Sequence, residues 1–100
     1  MDKVTVNGVD YFKQETGDIK IVILQRGWVM VGRLSRVGND CTLRDASVVR
    51  VWGTTKGLGE IALGGPTSST KLDKAGVVQF DYLTTVATIS CEASKWEKSL

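Results

Sequence analysis

Histidine is missing altogether from this chain of 100 residues, proline occurs once and cysteine twice. Without histidine the commonest general base and the commonest metal ligand are gone together. Ser–His–Asp and Cys–His nucleophile arrangements therefore cannot be built. Cys41 and Cys91 lie far apart, with no C-x-x-C spacing, and cannot complete a four-ligand zinc site. Two reduced, partly buried thiols are expected in preference to a disulfide. No run approaches the ~18 apolar residues of a membrane-crossing helix, and charge interrupts both apolar stretches of the N-terminal segment, unlike a signal peptide. The expectation is a cytoplasmic chain with no membrane partner, no cofactor and no enzymatic activity. A net charge of +2 and 7% aromatic residues make nucleic acid the less favoured partner.

What remains is an ordinary globular composition, 42% hydrophobic and 24% charged, which excludes a disordered or fibrous chain. Residues 1–100 are read as one β-rich domain. Asn7-Gly8 between two β-prone runs is the signature of a tight hairpin, because both turn positions require positive φ. Residues 14–18 form a polar break. In 19–24 both alternating sets are mostly apolar, which indicates a strand covered on both faces. Arg26-Gly27 marks a turn, and Gly32 within the strand at 28–34 marks a bulge or bend. Residues 41–44 and 47–52 read as two further strands joined around Asp45-Ala46. The polar stretch 67–74 reads as a mobile loop, and 77–83 and 85–90 as two strands that pair with each other. The predicted fold class is mainly β, a small barrel or sandwich of about 6–8 short antiparallel strands. One short internal helix, started by Gly57 to Glu60 and stopped by Gly64-Gly65-Pro66, and a C-terminal amphipathic helix over about 91–100, capped by Ser90, complete the prediction.

Every arginine in the chain (Arg26, Arg33, Arg36, Arg44 and Arg50) falls between residues 26 and 50, where there is no lysine. Arginine suits bidentate grips on phosphate or carboxylate and also partial burial in interfaces. Arg50 and Trp52 share one strand face and lead into the glycine-rich segment 53–59, whose backbone N–H groups suit an anion. An arginine beside an indole can hold a ring by stacking while gripping phosphate; the same pair also serves as core or protein-interface anchors. The candidate ligand-binding set is Arg50, Trp52, Lys56, Arg44, Thr54 and Thr55, with no catalytic or metal-binding residue. Trp28 and Trp96 are read as packing residues.

Leu43, Ala46, Arg50, Trp52, Gly53, Leu58, Ile61, Ala62 and Gly64, together with the opening hairpin and Ile89-Ser90-Cys91-Glu92, give the chain a pattern similar to a family of small phage-encoded proteins of unknown function. The resemblance implies a compact β-rich fold in a phage context, hence the host cytoplasm, and no activity to transfer. The resulting expectation is a non-enzymatic accessory protein that self-associates and binds a small anionic ligand such as a nucleotide, for example a sequestered host defence signal. Two alternatives stay open: a virion, assembly or host-protein interaction module, and a single-stranded nucleic-acid-binding small barrel.

Overall fold

A computed structural model describes residues 3–6, 9–12 and 17–100. Strands Lys3–Val6 (β1) and Val9–Phe12 (β2) pair antiparallel as a two-stranded sheet of their own, Val6 opposite Val9 and Lys3 opposite Phe12. That register leaves the two-residue spacing of a tight hairpin; Asn7-Gly8 and most of the polar break at 14–18 lie outside the described residues.

The remaining strands are Asp18–Leu24 (β3), Trp28–Val37 (β4), Asp40–Val51 (β5), Lys71–Asp81 (β6) and Thr85–Ser90 (β7). They form one open antiparallel sheet in the order β6-β5-β4-β3-β7. Among the described residues two short α-helices accompany it, Leu58–Gly64 (α1) and Ala93–Trp96 (α2). Among the described residues no helix is long and apolar enough to cross a membrane.

Several expectations are corrected here. Residues 41–44 and 47–51 belong to one strand, β5, which ends before Trp52, because the break at Asp45 is a bulge within it, with φ at 51°. A short polar side chain tolerates that left-handed conformation. Gly32 sits against the bulge, as a strand glycine suggests: a Cβ there would lie 2.8 Å from both the Arg44 carbonyl oxygen and Leu43 Cγ. The polar stretch 67–74 is a loop only as far as Thr70; β6 starts at Lys71, with Leu72 opposite Val49 and Asp73 opposite Val48. An edge strand needs few apolar residues, which is why composition hides it. Strand β7 pairs with β3, not with β6, Ile89 lying opposite Ile21 and Ala87 opposite Ile23. The C-terminal helix is a single turn that starts after Glu92 with no side-chain cap, in place of the Ser90-capped helix over 91–100.

The sheet is covered on one face and coiled towards the other. On the covered face Leu58, Ile61 and Ala62 of α1 and Trp96 of α2 close over Ile19, Ile21, Val29, Val31 and Val49. Trp96 is fully buried, and its Nε1–H donates to the Ile61 carbonyl at 2.8 Å. Trp28, read from the sequence as a packing residue, is 55% exposed. It opens β4 beside the Gln25–Gly27 turn, where Arg26 and Gly27 both take positive φ. On the opposite face Val22, Met30, Leu43 and Ala46 form a second, smaller buried cluster. The alternation of β3 thus feeds both faces, as its sequence suggests.

The two edge strands are consecutive in the chain, joined only by the 3-10 turn Tyr82–Thr84. Asp81 lies level with the Val37 end of β4, through Asp40, and Thr85 level with its Trp28 end, through Leu24. On a flat sheet these points would be roughly 35 Å apart, yet four peptide steps reach at most about 14 Å. The sheet must therefore coil, and the shifts of register in the β3-β7, β4-β5 and β5-β6 ladders are the kind of irregularity that lets strands bend. The Asp81 carboxylate accepts the Leu83 N–H at 2.8 Å, and the Asn39 carbonyl accepts the Tyr82 N–H at 2.8 Å, fixing the crossing.

Candidate functional site

Several of the residues singled out from sequence are engaged by other groups of the chain. Arg50 lies near the end of β5, and its Nε donates to Asp73 Oδ2 of β6 at 2.8 Å, in an exposed ion pair. Arg44 stands half-buried opposite Arg33 of β4, which is itself 3.2 Å from Asp45. Trp52 follows the end of β5 and is 42% exposed. Its carbonyl accepts the Thr70 hydroxyl at 2.7 Å, and the Gly53 carbonyl accepts the Thr67 hydroxyl at 2.7 Å.

The glycine-rich segment does collect an anion, and the anion is its own. Glu60 Oε1 accepts the Thr55 N–H at 3.2 Å, the Thr55 hydroxyl at 2.9 Å and the Lys56 N–H at 3.1 Å, while Thr54 Oγ1 accepts the Gly57 N–H at 3.2 Å. The Thr55 hydroxyl is the main reason the Glu60 carboxyl titrates below its ordinary 4.5, with the two amides and the Lys56 charge adding to it against desolvation. A carboxyl with a depressed folded-state pKa stabilises the fold above its unfolded-state value, and that contribution is lost as pH falls through the lower folded-state value. Glu60→Gln is therefore expected to melt below the parent at pH 7, and the gap should close as the pH is taken below 4.5. A melting series of both proteins from pH 7 to pH 3 reads this directly; a gap that does not change with pH would show that the carboxylate is not what closes the loop.

A different constellation forms on the concave face, where all five strands of the coiled sheet contribute to a cavity of about 310 Å³. Lys20 of β3 and Arg36 of β4 bring two cations to it, and Thr85 and Thr88 of β7 bring hydroxyls. Leu34, Cys41, Phe80 and Tyr82 complete the wall. The Arg36 guanidinium lies 3.4 Å from the centroid of the Tyr82 ring, and its Nε donates to the Gly38 carbonyl at 2.5 Å. Stacking on the ring holds the guanidinium plane while leaving its terminal nitrogens for another partner. Lys20 Nζ donates to Ser90 Oγ at 2.9 Å, which uses one of three ammonium protons. Thr85 Oγ1 is buried and has no hydrogen-bond partner among the described residues. A buried hydroxyl left so costs about 1–3 kcal/mol.

Both thiols are free. Burial pushes the Cys41 thiol up, opposed by Arg36 and reinforced by Asp81 and Asp40. Burial likewise pushes Cys91 up to about 11, against the Ile21 backbone and Lys20. Near neutral pH both are thiols, and the thiolate is the nucleophilic form.

Beside the cationic cavity on the same face lies an apolar cleft of about 380 Å³ lined by Leu24, Trp28, Met30, Val48, Val78 and Phe80, with Ala75 and Gln79 at its rim. Phe80 belongs to both walls. Neither Lys20 nor Trp28 was legible as a site residue, because only the coiling of the sheet brings β6 and β7 over β3 and β4. Arg36 did carry a signal, as one of the clustered arginines. None of Arg44, Arg50, Trp52, Thr54, Thr55 and Lys56 lines either hollow. No protein-family model matches the chain and no curated protein matches it, so no family is shown, the phage-encoded one included.

Proposed function

We propose that the protein holds a small anionic ligand without transforming it, in the cationic cavity on the concave face. The coiled sheet then works as a half-closed barrel whose interior mouth is the binding site. The observation that carries this reading is the convergence of Lys20 and Arg36 on one cavity that also contains a buried, unpartnered Thr85 hydroxyl. A carboxylate or phosphate there would take charge-assisted hydrogen bonds from the ammonium and the guanidinium and accept from Thr85. The Arg50 and Trp52 locus is less suited, because Asp73 and Glu60 already supply its cations and amides with anions. Raised thiol pKa values and the absence of histidine favour retention of the ligand over chemistry on it.

The test is calorimetric titration with inorganic phosphate and benzoate on the parent and on Lys20→Gln/Arg36→Gln. Each charge-assisted bond contributes about 1.5–3 kcal/mol, so the double variant should bind at least about a hundredfold more weakly. Unchanged affinity in the double variant, or no heat from either anion with the parent, would overturn the assignment. Arg50→Gln serves as the control and should leave binding unchanged.

A further inference from the structure

We infer that the ligand class is an amphiphilic anion: a phosphate or carboxylate carrying a hydrocarbon or arene body, with its charged end between Lys20 and Arg36 and its body across Phe80 against Trp28. This rests on the reading of the cationic cavity just given and narrows it from anions in general to one kind.

Three observations support the assignment. First, the two hollows lie on one face along the same strands. Lys20 and Leu24 of β3 are four residues apart, on the same side of the strand with the buried Val22 between them. That separation is about 13 Å, the length of a short chain with a charged head. Second, the chemistry is graded along it. Both cations stand at one end, while Leu24, Trp28, Met30, Val48 and Val78 at the other offer no side-chain hydrogen bond but the indole N–H. Apart from that N–H and the exposed Gln79 amide, a nucleobase or sugar placed there would find no side-chain partner for its polar edge. A hydrocarbon would lose nothing. Third, Trp28 is 55% exposed, while Leu24, Val48, Val78 and Phe80 of the same cleft pack against the buried cluster of Val22, Met30, Leu43 and Ala46. A large aromatic ring half out of the fold beside apolar side chains backed by a buried cluster is a ready contact for an apolar ligand.

The experiment uses octyl phosphate below its micellar range, with inorganic phosphate and octanol as the two half-ligands, on the parent and on Trp28→Ala. Binding is followed by calorimetry and by tryptophan emission. Burial of two or three methylenes, at about 0.8 kcal/mol each, predicts that octyl phosphate binds the parent at least tenfold more tightly than inorganic phosphate. It also predicts a blue shift of emission that phosphate alone does not produce. Trp28→Ala should lose most of that advantage and keep its affinity for phosphate, and octanol should bind far more weakly than octyl phosphate. If phosphate binds and octyl phosphate binds no more tightly, the inference fails and the cationic site stands. Octanol binding as tightly as octyl phosphate would likewise overturn the inference, since the charged and apolar parts would then not act on one molecule. If neither anion binds, the cationic site itself falls. Adenosine monophosphate outcompeting octyl phosphate would return the polar-bodied ligand and reject the apolar one.

Discussion

Trp96→Ala is expected to destabilise the protein by about 3–5 kcal/mol, the range for emptying a buried aromatic site. Trp96 is the largest fully buried side chain and lies among Ile19, Ile21, Val29 and Val31 of the sheet and Ile61 and Ala62 of α1. Alanine would leave a cavity between two layers held by only two short helices, and would also remove the indole donor from the Ile61 carbonyl. At about 4–8 °C per kcal/mol for a domain of this size, the melting temperature should fall by roughly 12–40 °C, or the protein should not fold. Trp28→Ala is the paired control: a half-exposed tryptophan outside both buried clusters should shift stability by about 1 kcal/mol or less. Denaturant titration of the two variants distinguishes them. Equal losses would mean that the layer under α1 and α2 is not the core.

Gly53→Ala should come second, at more than about 3 kcal/mol, and for a reason the sequence hides. Gly53 takes φ of +67°, and a Cβ built on it would stand 2.4 Å from the Ser69 carbonyl carbon and 2.5 Å from the Thr70 nitrogen. Left-handed backbone alone costs an L-residue about 1–2 kcal/mol. The remainder comes from pushing apart backbone that the Thr67 and Thr70 hydroxyls tie to the Gly53 and Trp52 carbonyls. Gly38 separates the two contributions, having φ of +61° with open space around its Cβ position. Gly38→Ala should therefore show the backbone strain without the collision, and lose clearly less. Comparable losses in the two variants would rule out the close approach of the 53 and 69 segments.

How much of this was legible in the sequence depended on whether a feature is local. The alternation in 19–24, the glycine at 32, the turn at Arg26-Gly27 and the helix after Gly57 are decided within a few residues, and each is where its pattern points. Residues 71–76 carry no such pattern, because one edge of β6 and most of its side chains face solvent. The partner of β7 was misread for a related reason. Proximity in the chain suggested β6, but the 3-10 turn carries the chain across to β3, and no local residue encodes a partner more than sixty positions away. The glycine-rich segment points to an anion without saying which, and Glu60 sits close enough to close the loop itself. Lys20 and Arg36, on different strands, have no common motif, and only the coiled sheet places them together.

The pairing of β7 with β3 also sets the order of assembly. The hairpins β3-β4 and β4-β5 close over short loops and β5-β6 over a longer one, whereas the β3-β7 ladder joins residues 20–24 to 85–90 and must overcome the entropy of the longest loop before any contact rewards it. During synthesis the run Ile19 to Leu24 therefore waits with one edge bare while more than sixty further residues emerge. An apolar ribbon left open for that interval is the part of the chain most exposed to pairing with a neighbour, so yield in the cell should depend on how quickly the ribosome delivers the final strand.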